Sequence, residues 1–148
     1  MQNGENKYHA LIDDKIFMGG AADVEAMVIN EGVEIIVDLR EEATECAYQS
    51  DHVKWVKIPL DDNTKETEAN LFKQAIEEVV SAYNEGKKVA FHCGGGKGRT
   101  GTVAAGTLLE LGLADTFEEA EAKAKDIRQV INIKPMQKEL LKQIYARS

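Results

Sequence analysis

Cys93 and Arg99 stand six positions apart, with Gly94, Gly95, Gly96, Lys97 and Gly98 between them. His92 precedes the pair, and Thr100 and Gly101 follow it. A glycine-rich loop of this kind turns several backbone N–H groups into one concavity, and a helix starting at its end adds the positive pole of its dipole. Such a nest suits a tetrahedral oxyanion such as phosphate. The same positive field favours thiolate over thiol at a cysteine on its rim. An arginine at the far end supplies a planar fork of donors matched to two oxygens of the anion. The pattern points to attack by sulfur on an anion held by amides and a guanidinium.

To place Cys93 beside the nest, a strand must lead up to it and a helix must lead away. Lys87-Lys88-Val89-Ala90-Phe91 reads as the strand. Gly98 to Leu111 reads as the helix, with Val103, Ala104, Thr107, Leu108 and Leu111 as its buried stripe and Gly112 as its stop. Upstream, residues 1–7 read as frayed, Lys15-Ile16-Phe17-Met18 as a short strand, and Gly19-Gly20 as its break. Asp23 is placed to cap a helix with Val24, Met27 and Val28 on one face, ended by Gly32. The β-branched run Glu34 to Arg40 is a buried strand, with Asp38 and Arg40 at its end as a solvated or paired couple. Glu41 to Ser50 reads as a short acidic helix or turn, in which Cys46 is a partly buried small residue or a redox partner for Cys93.

Val53 to Ile58 is the next strand, with Trp55 as a packing residue and Pro59 helping to end it. Thr64 or Thr67 is placed to cap a helix reaching Asn84, whose apolar face is Phe72, Ile76, Val79, Val80 and Tyr83, with Gly86 as its stop. Thr116 and Glu119 form a capping-box pattern before a helix burying Phe117, Ala120, Ala124, Ile127 and Ile131. Arg128 reads as a surface residue. Pro135 opens a last helix with Met136, Leu140, Leu141 and Ile144 inward. Strands near 16, 36, 56 and 90 alternate with helices. The expected architecture is α/β, a mainly parallel four- to five-stranded central sheet flanked by helices, with residues 1–148 forming a single catalytic domain. The phosphate loop then lies at the carboxyl end of a strand.

The net charge of −8 argues against nucleic acid or an anionic membrane surface as a partner. No stretch is long and apolar enough to insert across a bilayer, and Met1 to Tyr8 lacks the apolar core of a signal peptide. Two cysteines, 46 and 93, do not make a secreted disulfide framework, so a reducing cytoplasmic location is expected. The three histidines form no ligand cluster, so no metal and no cofactor is expected.

His92-Cys93-x5-Arg99-Thr100 resembles the signature of the protein tyrosine phosphatase superfamily. The run Gly96-Lys97-Gly98-Arg99-Thr100-Gly101 and the short chain look most like its dual-specificity branch and the inositol-lipid relatives. The resemblance implies a phosphate monoester hydrolase with Cys93 as nucleophile and a phosphocysteine intermediate. It implies that the amides of Gly94 to Arg99 and the Arg99 side chain bind phosphate. It also implies that Thr100 donates to the departing sulfur and that His92 orients the cysteine and the loop. The family carries a general acid about thirty residues before the cysteine, on a Pro-x-x-Asp pattern. Asp62 matches it better than Asp61.

Relatives often present a glutamine near the start of the final helix to the active-site water. Gln137 matches that only loosely, and a solvated helix residue is the plainer reading. The implied substrate is a phosphorylated protein, carrying phosphotyrosine and phosphoserine or phosphothreonine. The alternatives are an inositol lipid or other small phosphate ester, suggested by Lys97 and opposed by glycine at position 94, and a phosphate-binding pseudophosphatase. The oligomeric state is left open.

Overall fold

The computed structural model describes residues 7–61 and 63–145. Its strands are His9–Ile12 (β1), Ile16–Gly20 (β2), Ile35–Arg40 (β3), Lys54–Leu60 (β4) and Val89–Cys93 (β5). Its α-helices are Val24–Glu31 (α1), Ala69–Asn84 (α2), Gly98–Glu110 (α3), Phe117–Ile127 (α4) and Pro135–Ile144 (α5). The strands form one five-stranded sheet in the order β1-β2-β5-β3-β4. β2, β5, β3 and β4 run parallel, and β1 pairs antiparallel with the edge of β2. The mainly parallel α/β architecture expected from the pattern of apolar runs is the one observed.

The sheet is buried on both faces, which is why its central strands are near-continuous apolar runs. On one face Ile16, Met18, Val37, Leu39, Val89, Phe91 and Cys93 pack against α2, α3, α4 and α5. On the other, Phe17, Ile36 and Ala90 pack against Val24 and Met27 of α1. Strand alternation places each side chain of β5 on one of these faces. β5 lies between β2 and β3 and is buried along its whole length. Cys93, at its carboxyl end, is therefore held from both sides.

Several local expectations are corrected. β1 is an additional edge strand. β4 runs through Pro59 to Leu60, because an edge strand has no ladder partner on one side and tolerates a missing N–H there. Of the two forms expected for Glu41 to Ser50, the turn is the one observed, as turn and bend without a helix. Helix α2 starts at Ala69 after a short 3-10 turn at Glu66–Glu68, and neither Thr64 nor Thr67 caps it. Thr64 donates to the Asp61 carbonyl instead. Asp23 occupies the N-cap of α1 without capping it, since its carboxylate accepts the Gly20 N–H at 2.8 Å.

Helix α3 is buried from Gly98 to Leu109 on every side rather than along one stripe, and Leu111 is only half-buried beyond its end. It runs between the sheet and three other helices. Ile131 is buried but lies past the end of α4. In α5 the inward positions are Gln137, Leu140 and Leu141, whereas Met136 faces outward. The pattern at Thr116 holds, with its hydroxyl accepting the Glu119 N–H at 3.1 Å.

Candidate active site

The loop between β5 and α3 carries Gly94 to Lys97, with Gly96 at φ 73°. Its carbonyls are drawn outward one by one. Gly94 O accepts from the Ala21 amide at 2.9 Å. Gly95 O and Gly96 O accept from Arg128, through Nη2 at 3.4 Å and Nε at 2.9 Å. Lys97 O accepts from the Asn132 amide at 3.1 Å. A peptide whose C=O points out turns a neighbouring N–H in, so these contacts shape the concavity at the start of α3. A side chain at Gly96 would meet the Gly19 backbone at 2.7 Å and would have to adopt a left-handed conformation besides. That position requires glycine.

Cys93 is buried, and its sulfur lies 3.1 Å from the Thr100 hydroxyl on the first turn of α3. Thr100 Oγ1 also lies 3.3 Å from the Gly19 carbonyl. Arg99 is buried on the same turn, and its guanidinium is fixed from three directions. Nη1 donates to Leu60 O at 2.8 Å and to Leu39 O at 3.3 Å, at the ends of β4 and β3. Nη1 and Nη2 each donate to one oxygen of Glu42 at 3.0 Å. This forked hydrogen bond holds the Glu42 carboxyl below its ordinary value although burial works the other way. The carboxylate thus engages the arginine in the bidentate geometry expected of phosphate.

His92 and Asp38 face each other across β5 and β3 on the α1 side of the sheet, both fully buried. Burial holds the His92 imidazole below its ordinary value, although the Asp38 charge and the Cys93 carbonyl work the other way. Burial alone would raise the Asp38 carboxyl. Hydrogen bonds from Arg40, the His92 charge and the Trp55 indole N–H carry it below its usual range. The Asp38–Arg40 couple is paired, as expected of the strand end, but Asp38 is buried rather than solvated. Trp55 is half-buried and packs with the α1-side cluster.

Asp62 lies outside the described residues. Its neighbour Asp61 is committed to the local turn: its carboxylate accepts the Asn63 N–H at 3.0 Å and lies 3.7 Å from Lys65 Nζ. The Asp61 amide is received by Glu68, whose carboxyl is raised chiefly by burial. Gln137 is buried rather than solvated, because it occupies the inward stripe of α5. Its Oε1 accepts the Lys134 amide at 2.9 Å, and its Nε2 donates to Thr64 at 3.1 Å, tying α5 to the segment that follows Asp61. Arg128 is also buried rather than on the surface. Besides the loop carbonyls it donates to Lys7 O, and its Nη1 lies 3.1 Å from His9 Nδ1.

Cys46 is half-buried with Tyr48, Val53 and Trp55 in the α1-side cluster, on the opposite face of the sheet from Cys93. A direct thiol partnership between the two has no geometric support.

Sequence reasoning missed Glu42, Asp38 as a buried group, and the structural work of Arg128. A signal for Arg128 was present: it continues the Ala120, Ala124 spacing of the buried stripe by one more turn. Gln137 likewise precedes Leu140, Leu141 and Ile144 at inward spacing.

A family model described as the DSP-PTPase phosphatase domain of Swiss Army Knife protein, PTP-SAK, matches residues 20–142. None of the curated protein sequences matches the chain. Among solved structures, DUSP15 superposes with a TM-score of 0.82 at 15% identity, covering 96% of this chain and 90% of that one. A mouse putative dual specificity phosphatase complexed with zinc tungstate gives 0.81 at 14% identity, covering 97% and 89%. PTPMT1 in complex with PI(5)P gives 0.73 at 21% identity, covering 93% of each chain. These likenesses carry the fold, and the family model covers the loop, the sheet centre and every helix near the site. The chain accordingly belongs to the DSP-PTPase domains of the cysteine-based protein tyrosine phosphatase superfamily.

Proposed function

We propose that the protein hydrolyses phosphate monoesters in two steps, with Cys93 as nucleophile. The observation that carries this reading is the contact of the Cys93 sulfur with the Thr100 hydroxyl, at the mouth of a loop whose carbonyls are all drawn outward. In the first step the thiolate attacks phosphorus. The amides of Gly94 to Arg99 and the Arg99 side chain take up the equatorial oxygens as charge redistributes. Asp62 gives its proton to the leaving oxygen. In the second step Asp62 takes a proton from water, which attacks the phosphocysteine, and Thr100 donates to the departing sulfur. His92 orients the cysteine. The preferred substrate is a protein carrying phosphotyrosine or phosphoserine and phosphothreonine.

A second reading is favoured by a specific feature. Beside the loop lies a cavity of about 590 Å³, lined by Gly94, Gly95, Lys7, His9, Lys97 and Arg128 among others. Several basic groups there, in a chain of net charge −8, suit a substrate with a further phosphate, such as an inositol lipid headgroup.

Steady-state hydrolysis of p-nitrophenyl phosphate between pH 5 and 8 with EDTA tests the chemistry. Wild type is expected to turn over, Cys93→Ser not at all, and Arg99→Ala about 10²- to 10³-fold more slowly. Asp62→Asn should lose the alkaline limb, and Asp61→Asn should keep it. Turnover that survives Cys93→Ser would overturn the reading.

A further inference from the structure

Arg128 is a buried cation that takes no step in the proposed reaction, and its planar fork is held at all three nitrogens. Nε donates to Gly96 O at 2.9 Å and Nη2 to Gly95 O at 3.4 Å, on the phosphate loop. Nη1 reaches the other way. It donates to Lys7 O, just ahead of β1, and lies 3.1 Å from Nδ1 of His9, the first residue of β1. A guanidinium is rigid, so fixing Nη1 fixes the plane in which Nε and Nη2 meet the loop.

Arginine has donors and no acceptor, and it keeps its charge throughout the working range of a protein. His9 Nδ1 must therefore meet it with a lone pair, which leaves the single proton of the ring on Nε2. Only the neutral imidazole can make this contact. A second proton would replace the hydrogen bond by two cations face to face. Burial and Arg128 hold the His9 imidazole below its ordinary value, and Asp23, after β2, works the other way. The Asp23 carboxylate is itself engaged by the Gly20 amide. β2, the pairing partner of β1, carries no charged side chain. Lys7 and Lys97 share with His9 the cavity beside the loop.

We propose that neutral His9 is a positioning residue that accepts from Arg128 and so holds the guanidinium against the phosphate loop, and that protonation of His9 releases that hold. This rests on the reading of the loop as the site of phosphate ester hydrolysis. Acid that charges His9 drives Nη1 away from β1, and the Gly95 and Gly96 carbonyls lose a fixed partner.

The test uses the full chain labelled with ¹⁵N at histidine. The signal missing from His9→Gln identifies His9. At pH 8 a long-range ¹H–¹⁵N correlation should show Nε2 protonated and Nδ1 bare, and a proton on Nδ1 overturns the proposal. On titration the wild-type ring should take its second proton at lower pH than the ring in Arg128→Met. Equal midpoints also overturn it. Turnover of p-nitrophenyl phosphate supplies the functional readout. His9→Leu, which offers no acceptor, should lose about tenfold in kcat/KM at pH 8, the worth of a hydrogen bond to a charged group. His9→Gln keeps an acceptor that does not titrate, and it should recover most of that loss. In the ratio of wild type to His9→Gln the ionisations of Cys93, the general acid and the substrate cancel. That ratio should be steady above the His9 midpoint and fall by up to about tenfold below it. A ratio that stays flat or rises on acidification refutes the positioning role. Should Arg128→Met fail to fold, the wild-type tautomer and the ratio decide. The spectra need no turnover, so a wild type that passes them but is inactive on p-nitrophenyl phosphate would count against the hydrolase reading alone.

Discussion

The Thr100 hydroxyl has one proton and two acceptors in reach, Cys93 Sγ at 3.1 Å and Gly19 O at 3.3 Å. Its service to sulfur matters most when the thiolate departs. Thr100→Val should leave the first step running and slow the second about tenfold or more, the worth of a hydrogen bond to a charged group. A stopped-flow trace on p-nitrophenyl phosphate should then show a burst of p-nitrophenol, and Thr100→Ser should restore the wild-type trace. Asp38 gives a prediction in pH. Its folded value lies below the unfolded one, so folding favours the ionised form. That stabilisation is complete above the unfolded value of about 3.9 and is lost as pH falls through the folded value. Asp38→Asn should therefore cost about 3 kcal/mol near neutral pH, where Arg40 is left unpaired, and less in acid. Urea titrations of both proteins at pH 7 and pH 3 check this, with the difference expected to narrow at the lower pH.

At the scale of elements, the loop is held open by a residue from a distant helix end. Arg128 follows α4 and reaches two loop carbonyls and the backbone of Lys7, just ahead of β1. Arg128→Met keeps the buried stem and removes the donors, so the loop should relax by a fraction of an ångström to an ångström. Misplacement of that size costs about 10²-fold in turnover. kcat/KM should fall by that order, and inorganic phosphate should inhibit more weakly. The Cys93-to-Arg99 loop was readable because it is contiguous. The partners that shape it were not, since they are set by pairings far apart in the chain: Arg128 with Gly96 at a separation of 32 and Arg99 with Glu42 at 57. A polar side chain bound for a buried position looks like any surface residue until its periodicity is counted. Pro59 misled for the opposite reason, because its effect depends on whether its strand lies at an edge.

For the molecule as a whole, the apolar runs sufficed for the layered α/β architecture, since parallel strands buried on both faces are written as continuous β-branched segments. The strand order was beyond their reach. That order, β1-β2-β5-β3-β4, has a consequence for how the protein comes into being. β2 and β3 have no shared edge; each pairs with β5, which follows both of them in the chain. Without β5 the pairings of the finished sheet leave only β1 with β2 and β3 with β4, so a chain that stops short of residue 93 can form at most two separate strand pairs and no continuous sheet. Closure is one late, long-range event of high contact order. A fragment ending at Lys87 should show no cooperative urea transition by tryptophan fluorescence, whereas the full chain should show one. The strand that delivers the nucleophile is thus also the keystone of assembly, and a reactive centre cannot appear on a half-made protein.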